Sequence, residues 1–101
     1  MKTELNVALI QTDLVWEQSQ ANRKQIETYF EQLALNTDVV FLPEMFSTGF
    51  TMRPELVAEP MSGITVQWMK QWSEKLQVAI AGSIAIEEEG QFYNRFVWVN
   101  I

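Results

Sequence analysis

The stretch Val39-Val40-Phe41-Leu42 is apolar at every position, with Asp38 before it and Pro43 behind it. So short a run reads as a strand, and apolar residues at both alternating positions mean that both of its faces are covered. Strands of this kind belong to parallel sheets, which need helical crossovers between neighbours. Leu5–Gln11 and Val78–Ile86 read the same way, and Tyr93–Val99 is a fourth strand.

The crossovers are present. Between Asn22 and Leu33, Ile26, Tyr29, Phe30 and Leu33 recur at i, i+3, i+4 and i+7, one face of an amphipathic helix. Ser19 or Asn22 is expected to cap its start, and Asn36-Thr37-Asp38 to end it. Thr65, Trp68, Met69, Trp72 and Leu76 make a second stripe, with Ser62 as the expected cap. Gln67, Lys70, Gln71, Glu74 and Lys75 form its wet face. Phe46–Ser62, punctuated by Gly49, Pro54 and Pro60, is expected to be irregular. Glu87–Gln91 is a charged turn that joins the last two strands as a hairpin. The predicted order is β-α-β-α-β-β: an α/β fold with a parallel core and one antiparallel strand.

The 101 residues suit one small domain. Four Trp and six Phe are many for this length, and both helices are expected on one sheet face. The other face has nothing in this sequence to cover it. A fragment, or a subunit that buries that face on a partner, is therefore expected.

Composition excludes several functions. Seven Lys+Arg against thirteen Asp+Glu give a net charge of −6, with no basic cluster. Nucleic acid and anionic membranes are poor partners for such a surface. No run approaches the roughly 20 apolar residues of a membrane span. The start, with Lys2 followed by Glu4 and Asn6, is a poor signal peptide, which favours the cytoplasm. There is no Cys and no His. Neither a Cys/His zinc site nor a Ser-His-Asp or Cys-His pair can form within these residues. The acids Glu87, Glu88 and Glu89 point in different directions and read as a solvated turn. No metal or cofactor is expected.

Ligands of open α/β sheets bind outside the carboxyl ends of the parallel strands. Gln11-Thr12-Asp13 and Pro43-Glu44-Met45-Phe46 project there. Glu44 has two readings. It favours the positive end of a short helical turn with Pro43 at its first position. Alternatively, Leu42, Met45 and Phe46 desolvate it, as a general base requires. Met45 and Phe46 are candidate pocket residues, although an aromatic beside a strand end is more often core. Trp68 and Trp72 read as core. Ser47-Thr48-Gly49 has no basic partner and is rejected as a nucleophile.

The segment FLPEMFSTGF, after a helix and a strand, resembles the glutamate segment of the nitrilase superfamily, the carbon–nitrogen hydrolases. LNVALIQTDLVWEQSQANRKQ resembles that family's first strand and its lead into the first helix. VAIAGSIAIEEEGQFYNRFVWVN resembles its strand pair with Gly-Ser and Tyr-Asn elements. The form of residues 43–50 is most similar to the family's omega-amidase branch.

The resemblance implies an α-β-β-α sandwich, of which residues 1–101 are the amino-terminal part of a single domain. It implies a Glu-Lys-Cys constellation with Glu44 as general base and a thioester intermediate. It further implies that the lysine and cysteine lie beyond Ile101, so the chain alone is expected to be inactive. Lys70 and Lys75, on a wet helix face, cannot take the lysine's role. Asn94 matches a recurrent family position; it and Arg95 could brace the pocket loops, with a hairpin hydrogen bond the simpler role for Asn94. The implied substrate is a small mono-amide of a dicarboxylate, and a homodimer or higher oligomer is expected. The alternative is a truncated, non-catalytic module that pairs through its uncovered sheet face.

Overall fold

The computed structural model describes residues 4–101; Lys2, part of the signal-peptide reading, lies outside them. The elements are β1 (Val7–Leu9), α1 (Ser19–Phe30), β2 (Val39–Phe41), α2 (Pro54–Val57), α3 (Ile64–Leu76), β3 (Ala79–Glu88) and β4 (Gln91–Val99). The strands form one sheet in the order β1-β2-β3-β4. The β1–β2 and β2–β3 pairs are parallel, and β3–β4 is antiparallel. The predicted architecture is the observed one.

Register separates the two faces. Ala8, Val40, Ile80 and Val99 lie side by side across the sheet. Val40 and Ile80 are fully buried there, in one core with Ile26 and Phe30 of α1 and Val66, Trp68 and Met69 of α3. Leu9, Phe41, Ala81 and Trp98 form the neighbouring row, which faces the opposite way. On that side Leu9 is 77 % exposed, Phe96 59 % and Trp98 48 %, and Trp98 meets the Phe41 ring edge-on at 6.0 Å. The uncovered apolar face is therefore real. No helix among the described residues is long and apolar enough to cross a membrane.

Expectations need correction in four places. Helix α1 ends at Phe30, ahead of Asn36-Thr37-Asp38, and Gln18 precedes it without a side-chain cap. Its buried stripe is Asn22, Ile26 and Phe30, while Tyr29 stays at the rim. The reason is that Asn22 faces inward to bond backbone, where a cap would face the helix end. Within the segment read as irregular, Pro54 and Glu55 start the single turn α2, the residue types that suit a helix amino terminus. Helix α3 is not capped by Ser62. The Glu59 carboxylate accepts the Thr65 N–H at 2.8 Å and the Thr65 hydroxyl at 2.5 Å. Glu59 can do this because β3 holds its backbone: its N–H donates to Ala85 O, and its carbonyl accepts from Glu87 N–H. Finally, the hairpin turn is only Glu89-Gly90, both at positive φ, as a two-residue hairpin loop requires.

Aromatic packing joins the helices. Phe30 lies between Trp68 and Trp72, with centroids at 5.4 and 5.1 Å. Both indole N–H groups donate to Glu27, at 2.7 and 3.3 Å. Trp68 is a core residue, as read from its spacing, Trp72 packs partly buried against that core, and Glu27 of α1 accepts from both indole N–H groups.

Candidate active site

Glu44 stands on a tight turn directly after β2, the second of the three parallel strands. The turn exists because Met45 adopts a left-handed backbone, φ 51°, which lets the Thr48 and Gly49 N–H groups both return to the Met45 carbonyl. Ser83 on β3 holds the turn down. Its hydroxyl accepts the Met45 N–H at 2.8 Å, and its carbonyl accepts the Phe46 N–H at 3.2 Å. Phe46 then points inward, fully buried against Trp68 at 5.8 Å.

Gly82 makes room for that ring. A Cβ there would lie 2.9 Å from Phe46 Cδ2 and 3.0 Å from Leu42 Cβ. The Gly-Ser pair in the sequence thus has a physical role: the glycine admits the phenylalanine, and the serine binds the turn. Gly82→Ala is expected to cost about 1–3 kcal/mol through overpacking. A urea midpoint equal to that of the unaltered chain would show that the turn yields freely.

The turn carries Glu44 and Met45 onto the wall of a cavity of about 390 Å³. Leu14, Phe50, Thr51, Pro54, Phe92, Tyr93 and Asn94 are among the other walls. Glu44 and Asn94 also border a second hollow of about 370 Å³, over Gly82, Ser83 and Phe96. Glu44 itself is exposed. Leu42 and Phe46 do not enclose it, because both side chains are buried in the core. Phe46, a candidate pocket residue, is therefore a core residue that anchors the turn from beneath.

The structure brings Glu44, Met45 and Asn94 together. Asn94 pairs with Ala85 through backbone, and no hydrogen bond of its side chain is seen among the described residues. Arg95 does not brace the pocket loops. It binds Glu88 at 3.0 Å and lies over the Tyr93 ring, within the hairpin. Gln11, Thr12 and Asp13 are kept apart from Glu44, around a separate hollow that Gln25 and Tyr29 complete. Leu14, three residues after the strand's polar exit begins, reaches the cavity instead.

Sequence reasoning missed the stitching between the segment after β1 and the Glu44 turn. Glu17 N–H donates to Thr48 O at 2.6 Å, and Trp16 Nε1–H to Phe50 O at 2.8 Å. The Glu17 carboxylate accepts from Thr51 Oγ1 at 2.5 Å and from Arg53, whose guanidinium also covers the Trp16 ring at 4.9 Å. The hydrogen bonds from Thr51 and Arg53 hold the Glu17 carboxyl below its ordinary value. A lowered folded-state pKa adds stability above the unfolded value, and that stability is lost as pH falls through the folded one. Glu17→Gln should therefore destabilise the chain at neutral pH, and the difference should vanish once pH is well below the ordinary carboxyl value of 4.5. Paired denaturant melts across that range check it; a difference independent of pH would exclude the charge as its source.

The carbon-nitrogen hydrolase family profile matches residues 6–100. The chain belongs to the carbon–nitrogen hydrolases.

Among relatives of this carbon–nitrogen hydrolase chain, the omega-amidase YafV of Yersinia enterocolitica is 36 % identical over 95 residues. That match covers 94 % of the chain and 36 % of the relative. The 2-oxoglutaramate amidase of Bacillus subtilis is 32 % identical, over 87 % of the chain and 35 % of that enzyme. The crystal structure of XC1258 from Xanthomonas campestris, a CN-hydrolase superfamily protein with an arsenic adduct in its active site, superposes with a TM-score of 0.89 at 34 % identity. It is matched over 95 % of this chain and 36 % of its own. The carbon–nitrogen hydrolase chain thus spans little more than a third of the length of these relatives.

Proposed function

We propose that residues 1–101 form the amino-terminal part of one amide-hydrolase domain and supply its general base, Glu44. The observation that carries this reading is the exposed Glu44 at the carboxyl end of β2, on a turn pinned by Ser83 and opening on a cavity. The chain has no cysteine, so the thiol that the resemblance implies has to come from outside these residues.

The chemistry then runs in two halves. Glu44 takes the thiol proton, and the thiolate attacks the amide carbon. A lysine N–H from outside these residues steadies the oxyanion. The C–N bond breaks, ammonia leaves with the proton held by Glu44, and a thioester remains. Water, deprotonated by Glu44, attacks the thioester and releases the acid and the thiol. Every proton is accounted for without a metal or cofactor.

The relatives' names support short amides such as 2-oxoglutaramate as substrates. A cavity of about 390 Å³ suits a small ligand. Its walls include no Lys or Arg, so a cation that pairs with a substrate carboxylate has to be contributed from elsewhere.

Ammonia release from 2-oxoglutaramate tests the reading. The 101-residue chain should match the uncatalysed background, and a longer polypeptide that adds a lysine and a cysteine should turn over. Turnover by the short chain at enzymatic rates would sink the three-residue mechanism. A longer polypeptide inert to all short amides would sink the amidase reading.

The uncovered face with Leu9, Phe96 and Trp98 favours a second reading, a non-catalytic module that self-associates. A monomer at every concentration in sedimentation would exclude it.

A further inference from the structure

The geometry points to Asn22 as the positioning residue that fixes the width of the cavity beside Glu44, an inference whose catalytic consequence rests on the amidase reading above. Asn22 lies on α1, outside the cavity, and is fully buried. Its carboxamide is used at every polar position this geometry offers. Oδ1 accepts the Val15 N–H at 2.7 Å, and Nδ2 donates to the Val15 carbonyl and the Ser47 carbonyl, each at 2.8 Å. One side chain therefore ties the segment that follows β1 to the turn that follows β2.

Residues within three positions of those two anchor points are cavity walls. Leu14 precedes Val15, and Glu44 and Met45 lie just ahead of Ser47. Of the other links between the segments, those from Trp16 to Phe50 and from Glu17 to Thr51 and Arg53 run along the rim, where Trp16, Phe50 and Arg53 are exposed, and the Glu17 N–H reaches the carbonyl of buried Thr48. Asn22 fastens the same two segments from beneath: its side chain is fully buried, its bond to Ser47 lies in the interior, where a hydrogen bond is hardest to replace with water, and its bonds to Val15 are part-buried.

The position demands an amide for its chemistry. A primary amide offers one acceptor and two donors on one small planar group. Aspartate has nearly the same shape but, when ionised, only accepts. It would keep a partner for the Val15 N–H and turn a negative charge on two carbonyl oxygens. Leucine would leave the Val15 N–H and the Ser47 carbonyl unsatisfied, while the Val15 carbonyl would keep only the Gln18 N–H, at 3.3 Å. The gap between Leu14 and the Glu44 turn should widen in either case, while β3 and β4, to which the Asn22 side chain makes no hydrogen bond among the described residues, should keep their pairing.

Amide hydrogen exchange on the 101-residue chain tests this directly. In the unaltered chain, Val15, Glu17, Met45, Thr48 and Gly49 should open together, with a common protection factor below that of Ile84 and Tyr93 in the hairpin. Independent opening of the two segments overturns the proposal even if no variant folds. In Asn22→Asp, which loses both bonds donated by Nδ2, exchange at those five amides should rise at least about tenfold, a factor equal to about 1.4 kcal/mol. Ile84 and Tyr93 should stay near their original rates. Uniform loss of protection, or none, overturns it.

In a longer enzyme that hydrolyses a short amide, Asn22→Asp should lower kcat about a hundredfold with KM little changed, as expected of a misplaced base. An unchanged kcat overturns the proposal. If the unaltered longer enzyme hydrolyses no amide, the amidase reading fails and the exchange data alone decide the role of Asn22.

Discussion

Glu44→Gln, in an enzyme that joins residues 1–101 to a lysine and a thiol, is expected to lower kcat about 10²–10⁴-fold, the span of general-base catalysis. The substitution keeps size and shape and removes only the ability to take a proton. The turn should not notice it, because the bonds that hold the turn use the backbone of Met45 and Phe46 and both ends of Ser83. The melting temperature should therefore stay within a degree or two, and KM should change far less than kcat. Single-turnover assays would add detail: without the base, both formation and hydrolysis of the thioester should slow, since one carboxylate serves both. If Glu44→Gln turned over at close to the original rate, Glu44 would be a turn residue only, and the helix-start reading of its position would stand.

That reading was legitimate because the sequence around Glu44 serves both purposes. Pro43 and the acid suit the start of a helical turn, and the strand before them aims the same acid at a ligand. The strands themselves were legible because their residues are apolar along short runs: Val39–Phe41 reads as strand from its own residues. Helix α3 was legible because its stripe of Thr65, Trp68, Met69 and Trp72 is apolar at helical spacing. Its true cap was not, because Glu59 reaches Thr65 from a segment held by β3. A capping side chain from outside the helix leaves no local signature.

Asn22 was misread for a related reason. At the sequence level an asparagine near a helix start is a cap candidate, and only the folded chain brings Val15 and Ser47 to it from seven and twenty-five positions away. The exposure of Glu44 was equally hidden. Apolar neighbours in sequence are not apolar neighbours in space, since alternate residues of a turn face opposite ways. Leu42 and Phe46 bury themselves in the core and leave Glu44 outside it.

Phe46→Ala is the structural counterpart, expected to cost about 3–5 kcal/mol, the usual range for a fully buried aromatic. Domains of this size have about 5–15 kcal/mol in total, and this one leaves a sheet face uncovered, so much of its stability would go. The effect has two sources. The cavity left beside Trp68 loses its packing partner, and the space above Gly82 empties, since the Phe46 ring is what would clash with a Cβ there. The second source makes the prediction specific. Gly82→Ala should destabilise a chain that has Phe46 and should be neutral or mildly stabilising in a chain with Phe46→Ala, where the added methyl enters the void. A double-mutant cycle by denaturant melts reads that reversal as a coupling energy of at least about 1 kcal/mol. Additive effects would mean that Gly82 and Phe46 do not share the space. The close fit of glycine under phenylalanine would then not be what seats the Glu44 turn, and the hydrogen bonds from Ser83 would have to hold it alone.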